Sequence, residues 1–398
     1  MPTRIALVVP DLSTSGGVST VAHFLTEVVR ESSAFEVDLF SVALGSSDRA
    51  SVQLRSPSTW TTGVQVLPET KHELSYSHVG AAVSEVEYFR YQPRAALTRR
   101  LNTYDLVQVV AGTPAWTHLC RDVHVPVALQ VATLTREERQ SALSSSIHPI
   151  ALWRQLMARI TDRLDHTALS HADVVFVENQ WMYDHLTEYL PDEQVVFAPP
   201  GVDTERFTPG DVPSQRSYIL SVGRFADARK NVPLLFDAYA QYRQTAAHPL
   251  PLVLAGRTAP PPDAWAQAEK LGIRDAVTFE EDVPADALPA LYREAALYVV
   301  SADEEGLGLT ILEAMASGCP VVSTNCGGPS TSVVEGETGH LTPVGDADAL
   351  AKAMTDVLSD AERTDAMGQA GRKRAASVFS KESTGQRFLD VYKQLVSP

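Results

Sequence analysis

The stretch Ser301-Ala-Asp-Glu-Glu-Gly-Leu-Gly-Leu-Thr-Ile-Leu-Glu-Ala-Met-Ala-Ser-Gly318 sets two glutamates, Glu305 and Glu313, eight positions apart around a glycine-bearing turn. A strand that ends near Ser301 and a helix that starts around Leu309 would turn the unpaired first-turn N–H groups, and the positive end of the helix dipole, toward an anion. Gly306 and Gly308 let a diphosphate come close to the backbone. Glu305 then lies in the loop before the phosphate site and Glu313 one turn inside the helix. A carboxylate can meet each end of an anionic ligand, and carboxylates suit the vicinal hydroxyls of sugars. A solvated pair of surface glutamates would show the same spacing.

A second segment, Ser221-Val-Gly-Arg-Phe-Ala-Asp-Ala-Arg-Lys-Asn231, places Arg224 after a strand end and Lys230 just before the next helix. Cations so placed converge on a cleft and neutralise a leaving phosphate; alone, they equally describe a solvated basic cluster. The loop Ser13-Thr-Ser-Gly-Gly-Val-Ser19 joins the first strand to its helix but lacks the G-x-G-x-x-G spacing, so a nicotinamide site is not indicated. The acidic runs Asp303 to Glu305 and Glu280 to Asp282 have no paired histidine and read as surface charge, not as metal ligands.

The elements that must hold these residues follow from alternating patterns. Arg4 to Pro10, Phe35 to Val42, Leu106 to Val110, Val125 to Val131 and Asp173 to Val177 read as short buried strands, with a helical pattern through Val21, Phe24, Leu25 and Val28. Residues 45–75 are rich in Ser and Thr, weakly periodic, and give no clear element. Residues 199–217, with Pro-Pro-Gly and Thr208-Pro-Gly-Asp-Val-Pro213, have linker chemistry. The alternation restarts with Tyr218 to Val222, Leu250 to Leu254, Val277 to Phe279, Leu297 to Val300 and Pro320 to Ser323. The expected class is α/β, with two doubly wound domains and a joint near 200–217. Ligands of such sheets sit beyond the carboxyl ends of the strands, so a cleft between the domains is the default site. Ile150, Trp153, Leu156, Met157, Ile160 and Leu164 recur at helical spacing and read as a half-buried surface helix, with Asp162 and Asp165 on its polar side.

Composition narrows the partners. The chain has 398 residues, with 33 Lys and Arg against 49 Asp and Glu, a formal charge of -16. That excess of carboxylates repels a nucleic-acid backbone, and neither half is basic enough for a membrane-docking face. Cys120, Cys319 and Cys326 form no metal-binding or redox pattern and read as free thiols. No signal-peptide pattern and no run of 18 apolar residues is present, so a soluble, cytoplasmic protein is expected.

Taken together, these residues resemble the retaining glycosyltransferases of family 4, the glycosyl transferases group 1, with the GT-B fold. The resemblance runs over nearly the whole chain. It is carried by Gly16-Gly17, Pro200-Gly-Val-Asp-Thr-Glu-Arg-Phe207, Gly223-Arg-Phe with Lys230-Asn231, and Leu288-Pro-Ala-Leu-Tyr292. Glu305-Gly-Leu-Gly-Leu-Thr with Glu313-Ala-Met-Ala-Ser-Gly-Cys-Pro-Val-Val322, and Gly327-Gly-Pro, complete it. It implies two Rossmann-like domains facing across a cleft. Residues 1–200 would bind the acceptor and residues 201–379 the nucleotide sugar, with a last helix at 380–398 packing back on the first domain. Arg224 and Lys230 would grip the diphosphate, helped by N–H groups near Leu309 and Thr310. Glu313 would bind the ribose hydroxyls, Glu305 would face the sugar ring, and Gly16-Gly17 would approach donor and sugar.

The implied activity is retaining transfer of a hexose-type sugar from a nucleotide-diphosphate sugar to a small-molecule or lipid-linked acceptor. No cofactor and no metal are expected. One departure stands out. Where the family often has a histidine after the fourth strand, this chain reads Gln130-Val-Ala-Thr-Leu134, so Ala132 occupies that position and Gln130 and Thr133 are the neighbouring acceptor-side candidates. A nucleotide-sugar epimerase of the same architecture and a non-catalytic sugar-nucleotide-binding protein are the competing readings; C2 inversion marks the first and absence of turnover the second.

Overall fold

The computed structural model describes residues 2–12, 16–45, 47–71, 74–138, 149–209 and 216–397, with only the backbone described at 149–155. Ser13, Thr14 and Ser15 of the glycine-bearing loop lie outside the described residues, as do 210–215 of the expected linker. The chain forms two compact units. The first comprises Met1–Glu178, Met182–Pro200 and Gly385–Pro398; the second comprises Asn179–Trp181 and Gly201–Thr384.

The first unit is built on an eight-stranded sheet. In chain order its strands are β1 (Thr3–Pro10), β2 (Phe35–Val42), β3 (Val66–Lys71), β4 (Leu74–Val79), β5 (Leu106–Ala111), β6 (Val127–Val131), β7 (Val174–Val177) and β8 (Val195–Phe197). Their spatial order is β3-β4-β2-β1-β5-β6-β7-β8. Ile5 to Val9 are almost fully buried, as a strand covered on both faces requires. The helix Gly17–Glu31 covers one face with Val21, Phe24, Leu25 and Val28, the apolar stripe of a 3.6-residue period. The final helix, Lys381–Val396, also packs on this face. Phe388 lies against Phe176 with ring centroids 4.5 Å apart, and the buried Tyr392 hydroxyl donates to Gln108 Oε1 at 2.8 Å.

Residues 45–75 supply what the sequence pattern left open. They form a short helix, Ser58–Thr62, and the edge strand β3, which runs antiparallel to β4. The sheet is therefore mixed at one margin. Two residues separate β3 from β4, too few for a crossover helix, and Pro68 is tolerated because β3 is the edge.

The second unit holds a six-stranded parallel sheet with β9 (Tyr218–Arg224), β10 (Leu252–Thr258), β11 (Val277–Glu281), β12 (Ala295–Val300), β13 (Val321–Thr324) and β14 (Gly339–Thr342). The order is β11-β10-β9-β12-β13-β14, so the winding reverses between β9 and β12. Part of the expected linker is core instead. Val202 pairs with Ser380, Phe207 is buried, and Arg372 donates to the carbonyls of Thr204, Phe207 and Ala316. Proline and glycine mark turns whether or not the turn is packed, and here an arginine gathers its carbonyls.

Candidate functional site

The point where strand order reverses is where an open α/β sheet offers a crevice beyond its strand ends. In the second unit that crevice lies between the segments after β9 and β12, and three hydrogen bonds tie them together. Ser301 Oγ donates to Lys230 O at 2.9 Å, Asp303 N to Arg229 O at 2.8 Å, and Asn231 Nδ2 to Asp303 Oδ1 at 2.7 Å. Asn231 adopts a left-handed conformation, φ 43°, which asparagine tolerates, and caps the helix Val232–Thr245 by accepting from Leu234 N. This places Lys230 at the crevice. A small pocket there is lined by Ser221, Val222, Lys230, Ser301, Glu305 and Thr310 among others.

Lys230 Nζ is ion-paired with Glu305 Oε2, and about a fifth of each side chain remains exposed. The helix Leu309–Ala316 begins directly beyond, with Gly308 as its N-cap at φ 79°, a conformation that favours glycine. The N–H groups of Leu309 and Thr310 meet no acceptor among the described residues, as expected for a first helical turn. Gly306 is held from behind: Gly328 N donates to Glu305 O at 2.9 Å. Arg224 is half-exposed at the end of β9, 3.4 Å from Asp227, which also binds Arg229 at 2.9 Å. Burial pushes the Asp227 carboxyl up, but hydrogen bonding and charge from Arg229, with Arg224 adding to it, hold it below its ordinary value.

Glu313 sits deeper, on the same helix. The fully buried Tyr292 donates its hydroxyl to Glu313 Oε2 at 2.7 Å. Burial pushes the Glu313 carboxyl up to about 7, although the Tyr292 hydroxyl and the charge of Arg206 pull the other way. Tyr298, also buried, faces Val222 O and Thr310, and its phenol is raised chiefly by burial.

The second unit therefore brings Arg224, Lys230, Glu305, Gly306, Gly308, Leu309, Thr310 and Glu313 to one strand-end region. The remaining expected residues belong to the first unit. Gly16 is the N-cap of the helix Gly17–Glu31, with extended backbone, and its carbonyl accepts from Thr20 N at 3.0 Å. A Cβ added at Gly17 would meet nothing within 4 Å among the described residues, so the fold itself does not demand glycine there. Ala132 and Thr133, both half-buried, donate their N–H groups to Gly112 O at 3.3 and 3.0 Å. Gln130 is fully buried in β6, where its amide donates to Glu178 Oε1 at 3.2 Å; it lines no surface.

Residues 203–374 match the family described as Glycosyl transferases group 1. Over 337 residues the chain is 30% identical to the D-inositol 3-phosphate glycosyltransferase of Salinispora tropica, covering 76% of this chain and 67% of that protein. The chain belongs to the group 1 glycosyl transferases. A second relative in this family is the GDP-mannose-dependent alpha-(1-6)-phosphatidylinositol monomannoside mannosyltransferase of Mycolicibacterium smegmatis. It is 31% identical over 242 residues, which span 55% of this chain and 62% of that relative. Among solved structures, sucrose-phosphate synthase from Thermosynechococcus elongatus superposes with a TM-score of 0.74 at 22% identity, covering 99% of both chains. That likeness fixes the fold, two Rossmann-like domains of GT-B type. No helix among the described residues is long and apolar enough to cross a membrane.

Some residues at the site had no role in the sequence reading. Tyr292 stood inside a quoted motif, Leu288 to Tyr292, with no function attached to it. Tyr298 and Ser301 gave no signal, because a strand tyrosine or a loop serine follows no period that singles it out, and Asp303, expected as surface charge, instead accepts from Asn231 Nδ2 at 2.7 Å.

Proposed function

We propose that the chain transfers a hexose-type sugar from a nucleotide-diphosphate sugar to an acceptor hydroxyl, with retention at the anomeric carbon and without a metal ion. The observation that carries this reading is the meeting of Lys230 and Glu305 beside the unpaired N–H groups of Leu309 and Thr310 at the strand-order reversal. A diphosphate takes the ammonium and the two N–H groups, with Arg224 as a second cation. Glu305, released from Lys230, faces the sugar ring. Glu313 accepts from the ribose hydroxyls.

In the transfer step the bond from the anomeric carbon to the phosphate oxygen breaks and an oxocarbenium-like centre develops. The acceptor oxygen attacks from the same face and passes its proton to a phosphate oxygen of the leaving group. The chain supplies position and charge stabilisation. A preorganised donor aimed at such developing charge is worth about 3–4 kcal/mol. The second unit holds the donor in this reading, Gly16 and Gly17 of the first unit approach the diphosphate and sugar, and Ala132 and Thr133 serve the acceptor side. The names of the relatives support a polyol acceptor, free or lipid-linked, and put GDP-mannose first among donors to test. The test is a panel of UDP-, GDP- and ADP-sugars scored by thermal shift and by nucleotide release. One donor should stabilise the protein and be slowly consumed; a panel with neither effect overturns the reading.

A further inference from the structure

Glu313 is held in an asymmetric way that the transfer scheme does not use. Its Oε2 takes the Tyr292 hydroxyl at 2.7 Å, while its Oε1 takes no hydrogen bond from any described residue and is not among the buried unpartnered atoms. Tyr292 cannot swing away. Its ring is fully buried, 5.8 Å from Phe207 and 5.6 Å from Tyr298 between centroids, and the short helix Leu288–Glu294 fixes its backbone. Phe207 is itself anchored, since Arg372 donates to its carbonyl at 2.9 Å. Two quoted motifs, Pro200 to Phe207 and Leu288 to Tyr292, therefore converge on one carboxyl group.

We propose that Tyr292 is the positioning residue for Glu313: it pins Oε2 and thereby presents Oε1, as an ionised acceptor, to the vicinal hydroxyls of a nucleoside diphosphate. This rests on the donor-site reading given above. The chemistry requires such a device. A carboxyl group flanked by the buried Leu312, Ala314 and Met315 is driven toward its neutral form, which donates one proton instead of accepting two. The groups that face it are few. Tyr292 donates from its helix, Arg206 supplies positive charge from the loop before Phe207, and Tyr298 from β12 is a neutral phenol turned to Val222 O and Thr310. Burial and the neighbouring Glu313 both keep the Tyr292 phenol protonated, so its bond to Glu313 favours the carboxylate.

Replacing Tyr292 by phenylalanine removes this donor while keeping the ring. The titration midpoint of Glu313 should rise by about one pH unit, which is tenfold in its ionisation equilibrium. The experiment has three arms on the full chain and its Tyr292→Phe variant. Carbon-13 NMR of glutamate carboxyls follows the Glu313 midpoint directly, with Glu313→Gln to assign the signal. Calorimetry with UDP, GDP and ADP gives Kd at pH 6.5 and at pH 9. Calorimetry with inorganic pyrophosphate, which has no ribose, reports the phosphate end alone.

The expected result is a raised midpoint, a nucleoside-diphosphate Kd weakened several-fold at pH 6.5 but within twofold at pH 9, and unchanged pyrophosphate binding. An unmoved midpoint overturns the pairing whatever the ligands do. Equal weakening at both pH values, or a loss of pyrophosphate affinity, assigns Tyr292 a purely structural part and also overturns it. If the unaltered chain binds pyrophosphate but none of the nucleoside diphosphates more tightly, the donor-site reading itself fails, even where the midpoint has moved.

Discussion

Gly328 offers a steric probe of the site that leaves every charge in place. Its backbone, φ -54° and ψ -44°, lies outside the left-handed region that favours glycine, although Pro329 follows and disfavours this helical conformation for a residue with a Cβ. Space is the larger obstacle. A Cβ would stand 2.4 Å from Gly306 O, 2.5 Å from Gly306 C and 2.6 Å from Glu305 O, all of them backbone atoms that no rotamer change can move. Real Cβ contacts essentially never fall under 3.0 Å, so the Gly306 carbonyl must retreat by at least about 0.6 Å and the carbonyl of the Glu305–Gly306 peptide by about 0.4 Å. That peptide carries the carboxylate paired with Lys230, and it receives the Gly328 N–H at 2.9 Å.

A displacement of about 1 Å at a reacting group costs on the order of 10²-fold, and overpacking a well-filled site costs about 1–3 kcal/mol. Gly328→Ala should therefore fold, lose about 1–3 kcal/mol in denaturant unfolding, and lower kcat for donor turnover between roughly tenfold and 10²-fold. The assay pairs slow hydrolysis of the matched nucleotide sugar with urea unfolding of the same preparation. A variant that is destabilised but turns over at the unaltered rate would refute the claim that the Glu305–Gly306 peptide sets the reacting geometry.

Other outcomes follow from the same structure. Gly17→Ala should leave stability unchanged or raise it by about 0.4–1 kcal/mol, since nothing described lies within 4 Å, yet lower turnover; equal turnover would deny any ligand approach at Gly17. Glu305→Gln should keep nucleotide affinity within a few-fold and lose most turnover, the reverse pattern in calorimetry and kinetics counting against its place at the sugar. Turnover should survive EDTA, because Lys230 and Arg224 already supply positive charge at the phosphate; full loss restored by Mg²⁺ or Mn²⁺ would contradict a metal-free mechanism.

How far the sequence discloses this molecule depends on what kind of information a pattern carries. Alternation of apolar runs and helical stripes reports which faces are buried, so the two α/β sheets and the helix start at Leu309 were legible in it. It does not report the neighbour. The antiparallel edge strand β3 was missed because Val66 to Lys71 is half-exposed, contains a proline, and shows no clean period. Val202 and Phe207 sit in a stretch whose glycine and prolines read as linker, and only a distant arginine, Arg372, reveals it as packed structure. At the site, Glu305 and Lys230 stood out as residue types, but their pairing spans 75 positions and no local spacing encodes it. The Tyr292–Glu313 bond is of the same kind, with its partners on two different helices.

The alanine at position 132 is best understood through the backbone that surrounds it. Its N–H and that of Thr133 both point to Gly112 O, so main-chain bonds tie the chain after β6 to the chain after β5. The buried Asp165 reinforces this from the helix Pro149–Leu169, accepting from Ala115 N at 2.8 Å and from Thr135 N at 2.7 Å. None of these bonds uses the side chain at 132. A residue there changes what projects from the loop without changing where the loop lies, which separates the identity of that side chain from the integrity of the fold. For a same-face transfer, whose proton goes to the departing phosphate, an imidazole at 132 is not needed as a base. In the proposed mechanism the charge handling falls to the second unit, to Lys230, Arg224 and the N–H groups of Leu309 and Thr310. Ala132→His should then change which acceptor is used more than it changes donor binding or slow donor hydrolysis, and a variant that loses donor hydrolysis would overturn that assignment.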